Sequence, residues 1–292
     1  MNETLKQYIE QVNQKLEISL PSPQGPAKRL FSAMRYSVFN GGKRIRPLLC
    51  FAAAEAIAKT TQATAVVAAS IEMIHAYSLI HDDLPAMDND NLRRGAPTCH
   101  IQYDEATAIL AGDALQALAF ETLARIEGVS ADNTVELLRL LSTLGGCSGM
   151  ATGQAIDLAG TGNALSLDEL TFMHAHKTGA LIEASVLMGA VATGQADQTQ
   201  LAALSNFAQS IGLAFQIQDD ILDVESSTLQ LGKQQGSDFA NRKPTYTSLL
   251  GIEEAKKQAA DLYSQSIESL EIFSEKAATL RFLGDFIVNR DY

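Results

Sequence analysis

The sequence predicts an all-α protein, and three observations carry that prediction. Long segments rich in Ala, Leu, Gln and Glu favour helix, and their apolar residues recur at three- and four-residue steps. Runs of Val, Ile and Thr bounded by tight Asn-Gly turns, which would signal hairpins, are missing. The seven prolines stand in few places: Pro21, Pro23 and Pro26 share a loop with Gly25, while Pro47, Pro85, Pro97 and Pro244 are isolated.

In chain order, helical patterning covers residues 64–80, 106–126, 134–144, 168–191, 199–224 and 252–273. Several of these are apolar on nearly every side, which places them inside a bundle. About ten helices are expected. No Ser/Gly linker and no charge run divides the chain, so residues 1–292 are expected to form one domain. One long-range echo stands out: an apolar helical run ends in an Asp cluster twice, at Ile80-His81-Asp82-Asp83 and at Ile217-Gln218-Asp219-Asp220.

Composition narrows the function classes. With 46% hydrophobic residues in 292, the chain can bury a large core. A formal net charge of −12 argues against general nucleic-acid binding. Any bound anion must be held by a few local cations or by metal. Cys50, Cys99 and Cys147 lack metal-ligand spacing and read as buried thiols of a reducing compartment. Residues 1–20 lack the apolar stretch of a secretion signal, and the apolar runs read as too short to span a membrane. A soluble, cytoplasmic protein is expected.

The second Asp cluster follows the interior-type helix 211–218 and runs Asp219-Asp220-Ile221-Leu222-Asp223. Asp219 and Asp223 share one helical face, where like charges cost about 0.2–0.5 kcal/mol. A compensating cation is therefore expected, and carboxylates suit Mg²⁺. Mn²⁺ is accepted by the same donors. One such cluster alone fits a solvated acidic helix end equally well. The first cluster tips the balance. Asp82 and Asp83 end another apolar helix, but the third acid is at Asp88 instead of the i+4 position. On an unbroken helix it would face away; a break at Pro85 would bring it back. Arg93-Arg94-Gly95 follows at once, and arginine matches phosphate oxygens.

Other elements are weaker. Gly41-Gly42-Lys43-Arg44-Ile45-Arg46-Pro47 offers glycine backbone and three cations, though not a P-loop. His174-Ala175-His176-Lys177-Thr178-Gly179 adds a cation and a hydroxyl, and a satisfied polar turn explains it as well. Lys233 and Lys243 bracket a Gly/Gln/Asp-rich stretch that reads as a surface loop or lid.

Together, the two Asp clusters, GGKRIRP, RRG, KTG and FQIQDD resemble the trans-isoprenyl diphosphate synthases, closely the bacterial short-chain type. The resemblance implies an isoprenoid-synthase-type helical bundle around a deep apolar cavity, as a homodimer. It implies Mg²⁺-assisted ionisation of an allylic diphosphate, alkylation of isopentenyl diphosphate, and proton loss. By that resemblance Asp82, Asp88 and Asp219 ligate Mg²⁺, with Asp83 and Asp223 supporting. Arg93, Lys177 and Lys233 hold the allylic diphosphate. Lys43, Arg46, His75 and Arg94 hold isopentenyl diphosphate, helped by the backbone at Gly42. Thr178 and Gln216 face the developing cation, and Lys243 sits near the leaving diphosphate. Tyr77, with its neighbour Ser78, lies just over one turn before Asp82, where it would block a growing chain and favour a C15 product over C20. A basic C-terminal tail, common in these enzymes, is replaced by Arg290-Asp291-Tyr292.

Three competing readings are weaker. A non-catalytic partner subunit would be expected to have lost one Asp cluster. A terpene cyclase would lack the Lys43, Arg46 and Arg94 set. A di-iron bundle needs Glu-x-x-His pairs, and none is found.

Overall fold

The computed structural model describes residues 3–160, 162, 165–225 and 244–288. Among these the protein is a helical bundle. Helices α1 (Glu3–Ser19), α2 (Lys28–Phe39), α3 (Ile45–Ile57) and α4 (Gln62–Asp82) come first. The short α5 (Cys99–Gln102) precedes α6 (Glu105–Ala124), α7 (Ala131–Gly145), α8 (Met150–Gly160) and α9 (Leu167–His174). A π-helical turn, Ala175–Gly179, leads into α10 (Ala180–Val191) and the long α11 (Gln198–Glu225). The short α12 (Tyr246–Leu250), then α13 (Ile252–Ser269), a 3₁₀ turn (Glu271–Ala277) and α14 (Ala278–Val288) complete the described chain.

Helix starts follow side-chain capping. Thr61 and Thr64 form a reciprocal capping box at α4, and Ser166 and Glu169 form one at α9. Asp104 accepts the Thr107 N–H at 2.6 Å to open α6. The main core runs through α3, α4, α6, α10 and the first half of α11. A smaller apolar cluster joins Leu170, Met173, Ile217, Ile221, Tyr246, Ala255 and Ala259. Helices α3 and α10 cross in close contact: a Cβ on Gly189 would stand 2.1 Å from the Cys50 carbonyl oxygen.

Four expectations are corrected. The segment 168–191 is not one helix, because the π turn interrupts it. A two-residue hairpin pairs Leu92–Arg93 with Ala96–Pro97. Its turn residues Arg94 (φ 54°) and Gly95 (φ 77°) both take the left-handed conformation that closes a tight antiparallel loop. Helix α4, with 21 residues, is long and apolar enough to cross a membrane, contrary to the sequence reading. It is instead a core helix, with 78% of its apolar window buried. Cys50 and Cys99 are buried as expected, but Cys147 is exposed in the glycine-rich turn between α7 and α8.

Candidate active site

A cavity of about 360 Å³ opens among α3, α4, α8 and the π turn. Arg46, His75, Tyr77, Ser78, Asp82, Lys177 and Thr178 line it, seven residues singled out in the sequence. Leu79, Met87, Met150, Leu158 and Leu181 supply apolar wall.

Helix α4 provides most of one side. It ends at Asp82, where residues 83–88 fold back on themselves. The Asp88 N–H then donates to the Asp82 carbonyl at 2.9 Å. Pro85 lies inside that reversal, so the expected break exists and returns Asp88 to the backbone of Asp82.

Asp82 and Lys177 are held from α8. The Gln154 side-chain amide donates to Asp82. The Lys177 ammonium donates to the buried Asp157 carboxylate at 2.6 Å and lies 3.9 Å from Asp82. Helix α8 comes close because residue 153 is glycine: a Cβ there would be 2.0 Å from the Lys177 backbone nitrogen. Gln154 and Asp157 were not singled out in the sequence. Their signal was available, as the amide and carboxylate side chains three apart on the mostly apolar α8.

Arg46 and His75 form a second corner. Arg46 Nη1 lies 3.2 Å from His75 Nε2. Arginine can only donate, so that nitrogen accepts and the His75 proton sits on Nδ1. Burial, then the positive charges of Arg46, Arg94, Arg93 and Arg44, hold His75 well below its usual 6.5. Burial also lowers Arg46 to about 10, with Glu72 opposing. Its buried Nε has no partner among the described residues, which leaves one donor for a ligand.

The basic turn before α3 splits by direction. Arg44, in left-handed conformation (φ 54°), points inward and pairs with buried Glu72 at 2.6 Å. Lys43 stays outside, 5.6 Å over the Phe286 ring. Arg94 donates to the Gly41 carbonyl at 2.7 Å. A Cβ on Gly42 would sit 2.6 Å from the Arg94 guanidinium, and its φ of 115° also requires glycine.

Arg93 and Asp83 differ from expectation. Arg93 grips Asp83 through Nε, at 2.8 and 3.0 Å. Asp83 is buried, burial pushes its carboxyl up against the pull of Arg93, and neither residue lines the cavity. The pair fastens the end of α4 to the hairpin.

The second Asp cluster divides likewise. Asp219 is half-buried and accepts from the Gln216 amide at 3.2 Å. Asp220 is buried and accepts the Tyr246 N–H at 2.7 Å, so it caps α12. Asp223 is buried. Gln216 does not line the cavity. Its carbonyl oxygen takes the Thr178 hydroxyl at 2.8 Å and meets His174 Nδ1 at 3.1 Å. Lys233, Lys243 and Arg290-Asp291-Tyr292 lie outside the described residues.

Among the described residues no three His, Cys, Asp or Glu side chains converge as a ready-made metal cluster. Mg²⁺ does not require one, since it takes one or two carboxylates and completes its shell with water and phosphate oxygens. Asp82 at the cavity, with Asp88 tied to its backbone, fits that demand.

A family model described as polyprenyl synthetase matches residues 27–279. The chain belongs to the polyprenyl synthetase family. It is therefore a transferase of prenyl groups. Among its relatives in this family is the farnesyl diphosphate synthase of Haemophilus influenzae, 45% identical over 290 residues, covering 99% of this chain and 98% of that protein. A geranylgeranyl diphosphate synthase of Cyanophora paradoxa is 47% identical, covering 92% of this chain and 90% of that one. The solved structure of a Helicobacter pylori geranyltransferase, described as complexed with magnesium and isoprenyl diphosphate, superposes with a TM-score of 0.85 at 36% identity, covering 99% and 97% of the two chains. Polyprenyl synthetases are thus the all-α neighbours of this fold.

Proposed function

We propose that this prenyltransferase condenses isopentenyl diphosphate with dimethylallyl and then geranyl diphosphate to give farnesyl diphosphate. One observation carries the reading: a single cavity joins Asp82 and Lys177 with Arg46 and His75, above Tyr77 and Ser78 on α4. Two anion-binding corners in one apolar chamber suit two diphosphates and a growing hydrocarbon.

Asp82, Asp88 and Asp219 hold Mg²⁺, with Asp223 supporting. When bound, the ion neutralises charge on the departing diphosphate. Lys177, held by Asp157 beside Asp82, is the fixed cation for the allylic diphosphate. Arg46 and His75, with Lys43, Arg94 and the Gly42 backbone, take isopentenyl diphosphate. The allylic C–O bond breaks heterolytically. The isopentenyl double bond then attacks the cation, and the departing diphosphate accepts the proton lost. Leu79, Met87, Met150, Leu158 and Leu181 keep water from the cation. In this reading Arg93 acts through its grip on Asp83, and Gln216 acts through Asp219 and Thr178. The enzyme acts as one domain over residues 1–292, as a homodimer, in the cytoplasm.

A second reading, a C20 product, is favoured by the 47% identity to the Cyanophora geranylgeranyl diphosphate synthase. An assay with labelled isopentenyl diphosphate, Mg²⁺ and allylic primers of increasing length separates the two. A C15 product from the C5 and C10 primers is expected, and a C20 end product would overturn it. No incorporation with any primer would leave a non-catalytic partner subunit.

A further inference from the structure

His174 stands just before the π turn, off the cavity lining, and no role in the reaction has so far fallen to it. Its surroundings define one. Asp219 lies 3.2 Å from the Gln216 side-chain nitrogen, and an ionised carboxylate only accepts. The amide nitrogen of Gln216 must therefore face Asp219. That orientation turns its oxygen toward Thr178 (2.8 Å) and His174 Nδ1 (3.1 Å), and both must donate to it. The His174 proton is consequently on Nδ1. The ring is also fixed by packing, stacked on Tyr246 with centroids 5.8 Å apart and planes 24° apart. Tyr246 is fully buried, and its backbone N–H is bound by Asp220, the neighbour of Asp219.

His174, just before the π turn, and Thr178, inside it, are four residues apart, so they lie on one helical face and converge on one amide oxygen. π turns inside helices are frequent at functional sites.

We propose that His174 is a positioning residue for the second acid cluster. Its Nδ1–H locks the Gln216 amide in the orientation whose N–H₂ group aims the Asp219 carboxylate. Rotating the amide by half a turn would set its oxygen against the Asp219 carboxylate and its nitrogen against the His174 Nδ1–H, losing both of those hydrogen bonds, while the Thr178 hydroxyl could turn to accept. The inference rests on the Mg²⁺-diphosphate reading of the site for its consequence, though not for its geometry.

Two measurements test it. The first needs no variant: long-range ¹H–¹⁵N NMR of the wild-type imidazoles reads the His174 tautomer. A proton on Nδ1 is expected; a proton on Nε2 with Nδ1 bare overturns the proposal. The second is Mn²⁺ binding in the presence of inorganic diphosphate, followed by electron paramagnetic resonance. His174→Phe keeps the stacked ring and loses the donor, and it should weaken Mn²⁺ binding about five-fold, the worth of one hydrogen bond. His174→Asn, which retains an N–H near the same place, should recover most of the loss. The KM for isopentenyl diphosphate should stay within about two-fold in both. Wild-type Mn²⁺ affinity in His174→Phe, or equal loss in the two variants, overturns the role. If His174→Phe does not fold, the tautomer and His174→Asn still decide. If the wild type binds Mn²⁺-diphosphate yet transfers no prenyl group, the proposed reaction fails and the positioning role is still read.

Discussion

Tyr77 projects into the cavity from α4, just over one turn before Asp82, with its ring edge-on to His81 at 5.7 Å. On the proposed reading, a chain growing from a diphosphate held near Asp82 would meet that ring. Tyr77→Ala removes a large half-buried side chain, so products longer than C15 are expected by chromatography; an unchanged C15 profile would exclude Tyr77 as the stop. His75 gives a pH prediction. Folding keeps it neutral well below its usual 6.5, whereas the unfolded chain takes up its proton near that value. Below pH 6.5 the unfolded state therefore binds more protons, and stability falls as pH falls. Above 6.5 both states are neutral and the contribution is flat. His75→Gln should flatten the acid limb of a urea-unfolding series by up to about 1.4 kcal/mol per pH unit. An unaltered slope would show that His75 titrates normally in the fold. Gln154 and Asp157 mark the limit of reading residues singly. Their types were visible in the sequence, but what they hold was not.

At the scale of elements, α8 acts as a bracket between the end of α4 and the π turn. Gly153 sets its distance, since a Cβ would press to 2.0 Å from the Lys177 backbone nitrogen. Gly153→Ala must push α8 and the π turn apart, with an overpacking cost of about 1–3 kcal/mol. A lower melting temperature, by calorimetry, and a raised KM for the allylic substrate are expected together; a raised KM is not expected for isopentenyl diphosphate. A neutral outcome in both would mean that the contact relaxes without strain. Most helices were legible: patterning at 64–80, 106–126 and 199–224 reappears within a few residues as α4, α6 and α11. The π turn was not, because one extra residue in a helix leaves apolar periodicity almost unchanged over so short a span. The Arg93-Arg94-Gly95 turn was read as charge, and its left-handed backbone was missed because arginine seldom adopts it.

At the scale of the molecule, the proposed reading has two acidic clusters, 137 positions apart from Asp82 to Asp219, serve one site. Bound Mg²⁺ and diphosphate would bridge them and select the folded state. Mg²⁺ with inorganic diphosphate should raise the melting temperature by several degrees, and either one alone by much less; equal effects from Mg²⁺ alone would argue for a site that needs no diphosphate. EDTA should abolish turnover, and added Mg²⁺ should restore it. Sedimentation should give about twice the 31.3 kDa chain mass if the enzyme is a homodimer.

By itself the sequence determined the helical class, the buried character of α4 and α11, and the acid clusters at their ends, because periodicity and composition are local properties. It also determined that Asp88 could reach Asp82 only through a break, since helical geometry allows nothing else. The tertiary structure alone decided which charges are occupied with one another. Arg44 turns inward to Glu72, Arg93 is taken by Asp83, and Asp220 caps α12, while Asp82, Arg46 and Lys177 meet at the cavity. The reason is physical: like residues in one short motif are equivalent until backbone direction assigns each a partner, and that direction is set by packing between distant helices.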